Sequence, residues 1–310
     1  MQQSGVWSDT RTQVSSISRG THTVTTRPVR VGQPGRLVAG RYRLQRLLGA
    51  GGMGAVWLAR DEVLVRPVAV KELTLPAVVR DRQAASEHVL GEARAASLVS
   101  HPGVVCVHDL ATEDGRHWIV MEVLAGQTLE QAIREQGRLS PRRVLDIAWQ
   151  LLQALQALHR VDIVHRDVKP SNVQLSGKRV VLTDFGLASR GGTAPVTAPG
   201  QVAGSPPFMA PETIEEGRFG PASDLFSLGA TLYAAVEGRQ PFDEGTTFST
   251  LQAVRNETPP PARHAGFLAQ VVHGLLIKNP VLRLGSAEAL SYLAPHRGAS
   301  ASLPRHRRFP

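Results

Sequence analysis

The 310-residue chain is 42% hydrophobic and 20% charged, proportions of a soluble globular protein with room for one large or two ordinary domains. Its single cysteine, Cys106, excludes an intramolecular disulfide and a cysteine metal cage, and reads as a small buried hydrophobe. Much of the +9 net charge lies in terminal arginines; with no zinc spacing and no interleaved basic–aromatic patch, these indicate solvated tails and not nucleic-acid recognition.

Residues 1–38 are rich in Ser, Thr, Gly, Arg and Gln without periodicity, and are expected to be a disordered tail. The opening MQQSGVWSDTRTQ has no apolar signal core, and no run of about 18 apolar residues follows anywhere, so a cytoplasmic protein without a membrane span is expected. Strands over 42–48 and 55–59 flank the glycine-dense stretch from Gly49 to Gly54. Such density costs chain entropy, so the backbone there needs freedom or close approach. A Walker loop would need Gly-Lys-Ser/Thr next, and Ala55-Val56-Trp57 excludes it. A dinucleotide fingerprint would need a helix next, whereas the residues that follow have strand character. Two readings stay open at this point: a flexible turn between two strands, or a glycine-tipped hairpin over ATP phosphates with a lysine reaching them from the next strand, a place that Lys71, in a strand over 65–73, would take.

A helix is expected over 80–100, with His88 and Glu92 one turn apart and Gly91 softening it. Strands over 104–109 and 117–123 follow, with a turn at Asp114-Gly115. After Gly126 the periodicity becomes helical, over 129–135 and 141–160, the second capped by Ser140 ahead of Pro141. The apolar run from Asp224 predicts a buried core helix, and further helices fit 247–256 and 265–278. From about residue 295 the chain returns to Ser, Arg and Pro.

Two polar motifs interrupt apolar surroundings: His165-Arg166-Asp167-Val168-Lys169-Pro170-Ser171-Asn172 and Thr183-Asp184-Phe185-Gly186. Met209-Ala210-Pro211-Glu212 comes later. With the glycine loop and Lys71, this order and spacing resemble the eukaryotic-type (Hanks-type) protein serine/threonine kinases, bacterial branch, over about residues 41–293.

The resemblance implies an α+β, two-lobed kinase fold at 39–295, with an N-lobe over about 39–124, a C-lobe over about 125–295 and a basic tail at 296–310. It implies ATP and Mg²⁺ (or Mn²⁺) as cofactors and Ser/Thr hydroxyls of protein substrates as acceptors. Gly49, Gly51 and Gly54 would let backbone N–H groups approach the phosphates, in a loop that also holds Ala50, Gly52 and Met53. Val56 and Ala69 would roof the adenine, and Glu122 and Leu124, after Met121, would meet it from the lobe connector. Lys71 would hold the α- and β-phosphates and pair with Glu92; Asp184 and Asn172 would ligate magnesium. Asp167 would accept or orient the substrate hydroxyl proton, and Lys169 would neutralise the γ-phosphate. Lys169, two residues past Asp167, favours Ser/Thr over Tyr acceptors, and Ser205 stands where the family has threonine.

His165 and Asp224 are read as structural, and Glu212 and Arg283 as a buried ion pair. Arg166 implies an activation loop ordered by phosphate, on Thr197 or else Thr193, with Arg190 and His88 completing the pocket. Autophosphorylation in a transient dimer follows from the same reading. The alternative is a pseudokinase-like scaffold; its mark would be loss of Lys71, Asp167, Asn172 or Asp184, and all four are present.

Overall fold

The computed structural model describes residues 32–51, 54–73, 90–91, 93–95, 97–184, 196–198, 201–202 and 205–297. The N-lobe is built on an antiparallel sheet of six strands: β1 (Leu37–Val38), β2 (Tyr42–Gly51), β3 (Gly54–Asp61), β4 (Arg66–Leu73), β5 (Val107–Glu113) and β6 (Arg116–Met121), ordered β1-β2-β3-β4-β6-β5. The strand alternation sorts side chains onto two faces. Trp57, Val68, Val70, Trp118 and Val120 enter an outer core with Tyr42 and Leu44. Val56, Ala69, Ile119 and Met121 face the main core, where they join helical residue Ala93.

The segment 32–38, which composition assigns to the tail, belongs to this sheet. Leu37 and Val38 pair with Arg43 and Tyr42, Val38 is fully buried, and Gly35 N–H donates to the Leu44 carbonyl at 2.7 Å. Arg36 lies over the Trp118 ring at 5.6 Å, and Gly32 packs against Leu44 and the Trp57 indole. Polar composition hid a two-residue strand whose burial is supplied by the partner sheet.

The C-lobe is helical: α1 (Leu129–Gln136), α2 (Pro141–His159), α3 (Pro211–Glu216), α4 (Pro221–Glu237), α5 (Thr247–Asn256), α6 (Ala269–Leu275) and α7 (Ser286–Arg297). Ser140 caps α2, its Oγ accepting from Arg143 N–H at 3.4 Å, and the Val144–Leu158 stripe is buried. Helix α4 is buried continuously from Ser223 to Val236, as its unbroken apolar run predicts. A small sheet, β7 (Gln127–Thr128), β8 (Val173–Ser176) and β9 (Arg179–Leu182), lies beneath the lobe connector. The expected tail boundary at 296 falls inside α7, which continues through Pro295 to Arg297. Cys106, expected to be buried, is exposed: its backbone pairs with Glu122 while its thiol lies 3.7 Å from His108 Nδ1.

Candidate active site

The β2–β3 hairpin pairs Gly49 with Val56, Ala50 with Ala55 and Gly51 with Gly54. The strands therefore run up to the glycines themselves. Gly54 has φ 121°, a conformation that side chains strain to adopt. Below the hairpin, β4 turns Lys71 inward, opposite Val56 on β3 and Ile119 on β6. Its Nζ lies 2.9 Å from Asp184 Oδ1, and the lysine side chain is only 6% exposed. Asp184 follows β9 with φ 57°, a left-handed conformation unusual outside glycine. Among the described residues Asp184 is thus the partner of Lys71; Glu92, expected to pair with it, lies outside them, as do Gly52 and Met53.

The polar loop after α2 is held from beneath. Asp224, buried in α4, accepts hydrogen bonds from the backbone N–H of His165 and of Arg166, both at 2.8 Å. It also contacts His159 Nε2 at 2.8 Å. Arg166 is thereby kept at φ 67°, with its guanidinium over the Phe219 ring at 5.8 Å. His165 is fully buried, its Nε2 3.0 Å from the Thr183 carbonyl, and burial pushes its pKa below the ordinary histidine value. It acts as a bolt between two loops, as expected.

Asp167 sits between two side chains. Lys169 Nζ contacts its Oδ2 at 2.8 Å, and Asn172 Nδ2 donates both to that oxygen and to the Asp167 carbonyl, each at 2.8 Å. Lys169 also donates to Ser205 Oγ at 3.0 Å. Asn172 starts no helix of its own; it closes the single 3-10 turn Pro170–Asn172 ahead of β8. Its carbonyl accepts from Thr183 N–H at 2.9 Å and from Thr183 Oγ1 at 3.2 Å. Thr183 immediately precedes Asp184, so this double bond ties the Asp167–Lys169–Asn172 cluster to the Lys71–Asp184 pair.

Apolar side chains from several elements accompany these charges. Ala69 and Met121 belong to the main core, and Val56, Leu124 and Leu175 pack against it half-buried. Val56 and Ala69 come from the sheet above, Leu175 from β8 below and Leu124 from the connector. Gly126 lets the connector lie on β8: with φ 93°, a Cβ added there would fall 2.1 Å from the Leu175 carbonyl oxygen. Glu122 fixes the connector from behind. Its N–H donates to the Cys106 carbonyl at 3.0 Å, and its carboxylate accepts from Cys106 N–H at 3.0 Å and from Arg179 at 3.0 and 3.2 Å. Burial, the largest influence, pushes the Glu122 pKa up, but Arg179 and the Cys106 N–H together hold it below the ordinary carboxylate range.

Leu175 and Arg179 did not emerge from sequence reasoning, and Thr183 emerged only as a motif residue without a role. Leu175, three residues past Asn172 in an alternating strand, carried a usable signal; an isolated surface arginine such as Arg179 carried none. The expected ion pair of Glu212 with Arg283 is present and bidentate, at 2.7 and 2.9 Å, with Ser223 Oγ donating to the same carboxylate at 2.9 Å. Thr197 falls in the short strand β10 (Val196–Ala198), which pairs with β11 (Gln201–Val202). Phe185, Gly186, Arg190, Thr193 and His88 lie outside the described residues.

The family model described as the protein kinase domain matches residues 42–293. The chain belongs to the protein kinase family. It is 37% identical over 284 residues to the serine/threonine-protein kinase PknA of Mycobacterium tuberculosis, covering 89% of this chain and 64% of that one. It is 35% identical over 260 residues to the serine/threonine-protein kinase PrkC of Bacillus subtilis, covering 82% of this chain and 40% of that one. The chain thus spans less than two-thirds of the length of these curated relatives. The crystal structure of the Mycobacterium tuberculosis PknI kinase domain superposes with a TM-score of 0.68 at 27% identity, covering 86% of this chain and 98% of that one. The strand-rich lobe and the helical lobe are thus those of a protein kinase domain. Among the described residues no helix of this kinase is long and apolar enough to cross a membrane.

Proposed function

We propose that this kinase transfers the γ-phosphoryl group of ATP to Ser or Thr hydroxyls of proteins, through a domain that takes in the segment 32–38. One observation carries the reading: buried Lys71 pairs with half-buried Asp184, and the pair is tied through Thr183 to Asp167, Lys169 and Asn172. Phosphoryl transfer asks for positioning and charge neutralisation, and these are the groups that supply both.

The oxygen donors suit a hard divalent cation: Asp184 offers a carboxylate, and Asn172, whose Nδ2 is engaged by Asp167, offers Oδ1. Among the described residues no group of three or more His, Cys, Asp or Glu forms a metal cage. Asp184 and Asn172 would therefore hold Mg²⁺ jointly with the phosphates, and the ion would supply neutralisation of the charge developing there. Lys71, released from its ion pair, would bind the non-transferred phosphates. The backbone of the hairpin tip at Gly49, Ala50, Gly51 and Gly54 would cover them. Val56, Ala69, Met121, Leu124 and Leu175 would sandwich the adenine, with the backbone of Glu122 and Leu124 along its polar edge. Asp167 would orient the acceptor hydroxyl and take its proton, and Lys169 would move from Asp167 to the transferring group. Thr197 remains the proposed activating phosphosite, with Arg166 as its reader, reached by autophosphorylation in a transient dimer. Cytoplasmic protein substrates without nucleic-acid partners complete the reading.

Purified protein with ATP, Mg²⁺ and a generic protein acceptor should yield phosphoserine or phosphothreonine. Lys71→Met and Asp184→Asn should each lower turnover by at least about 10²-fold, the scale of losing one preorganised charge stabiliser. Near-normal transfer by either variant would overturn these roles.

A further inference from the structure

Helix α4 is buried from Ser223 to Val236, and one line of hydroxyls runs along it. Ser223, Ser227 and Thr231 stand four residues apart on one face, next to Asp224. Ser223 Oγ serves Glu212, and Thr231 Oγ1 donates back to the Ser227 carbonyl at 2.8 Å, lying a longer 3.5 Å from the Val168 carbonyl outside the helix. Ser227 makes the shorter contact to a backbone carbonyl outside the helix. Its Oγ lies 2.7 Å from the Phe208 carbonyl, outside the helix, and 3.0 Å from the Ser223 carbonyl within it. One hydroxyl proton faces two acceptors, and the shorter contact leads to Phe208.

Phe208 closes the 3-10 turn Pro206–Phe208, three residues past Ser205. The segment 205–208 is thus tied at one end to Lys169, through Ser205 Oγ, and at the other to α4, through Ser227. Pro206 and Pro207 carry no N–H, so backbone hydrogen bonds can do little to place this segment. Its position rests on these two side-chain ties and on the packing of Phe208 against the main core. Because Lys169 touches both Ser205 and Asp167, the segment borders the space where an acceptor hydroxyl meets Asp167.

We infer that Ser227 is a positioning residue for the protein acceptor. By holding the Phe208 carbonyl, its hydroxyl sets the 205–208 wall against which the acceptor chain lies. The inference rests on the kinase reading for its functional half. Ser227 contacts neither Lys71 nor Asp184, so its role is confined to the acceptor side of the reaction.

The test compares Ser227→Ala with wild type and with Thr231→Val, a near-isosteric change that removes a neighbouring hydroxyl on the same buried face. In steady-state assays with a generic protein acceptor, Ser227→Ala should raise the KM for that protein about fivefold, the scale of one lost hydrogen bond. The KM for ATP and the slow hydrolysis of ATP by water should stay at wild-type values, and Thr231→Val should resemble wild type throughout. Hydrogen exchange gives a readout independent of turnover. The amides of Phe208 and Met209, which donate to Ser205 and Pro206 carbonyls, should exchange faster in Ser227→Ala, while those of β4 should not change. Unaltered exchange at Phe208 and Met209 overturns the inference, as does an equal rise in both KM values or the same effect in Thr231→Val. Absence of transfer by wild type would defeat the kinase reading instead, and the exchange result would still decide whether Ser227 holds the segment.

Discussion

Replacing Asp224 by Asn changes one atom's chemistry at the base of the active site. The carboxylate serves three groups at 2.8 Å: the N–H of His165, the N–H of Arg166 and His159 Nε2. A carboxamide of the same shape has one oxygen, and its NH₂ must face a donor in place of an acceptor. One buried charge-assisted hydrogen bond, worth about 1.5–3 kcal/mol, is lost, and a buried N–H is left unsatisfied at about 1–3 kcal/mol. Arg166 adds to the effect: a non-glycine residue at φ 67° sits about 1–2 kcal/mol above its right-handed alternatives, so loss of its tether favours rotation away. Asp167 is the next residue. If about 3 kcal/mol of this total appears as displacement of Asp167, kcat falls by about 10²-fold, at about 1.4 kcal/mol per decade. Lys71 and Asp184 hang from other elements, so the KM for ATP should change little. The assay is steady-state transfer to a protein acceptor, with cooperative melting by circular dichroism to show that the variant is folded. A folded Asp224→Asn enzyme with kcat within about threefold of wild type would refute this reasoning.

Two further outcomes follow from the N-lobe. A chain beginning at residue 39 should melt about 4–10 °C below one beginning at Gly32, because Val38 burial alone is worth about 1.5–3 kcal/mol and Trp57 and Trp118 lose their cover; equal melting temperatures and equal tryptophan emission maxima would show that the segment contributes nothing. The hydrogen bond from Arg41, the largest influence, holds the Asp61 carboxyl at about 2 against an ordinary 3.8. A folded-state pKa below the unfolded one means that the stability is present above about pH 4 and lost as pH falls through about 2, so melting temperatures should drop more steeply over that interval in wild type than in Arg41→Met.

Legibility in the sequence followed the source of each constraint. The buried helix α4, the capped helix α2 and the β2–β3 hairpin were readable because local patterning alone fixes them. Asp167, Lys169, Asn172 and Asp184 were readable because their chemistry forces those residue types into a short span. Contacts created by the fold escaped notice. Arg179 reaches Glu122 from 57 residues away, and nothing in either neighbourhood foretells it. The exposure of Cys106 depends on which side of the connector its backbone pairs. Strand β1 is two residues long, too short for any period to show.

Helix α4 also sets a rule for length variation. Ser223 reaches Glu212 on α3, Asp224 holds the loop at 165–166, and Ser227 reaches Phe208, so three separate segments are referenced to one rod. A single residue inserted between Asp224 and Ser227 would rotate Ser227 by about 100° relative to Ser223 and Asp224 and advance it by about 1.5 Å. The three attachments could then no longer be met together. The stretch from Ser223 to Ser227 thus behaves as a ruler whose count cannot drift.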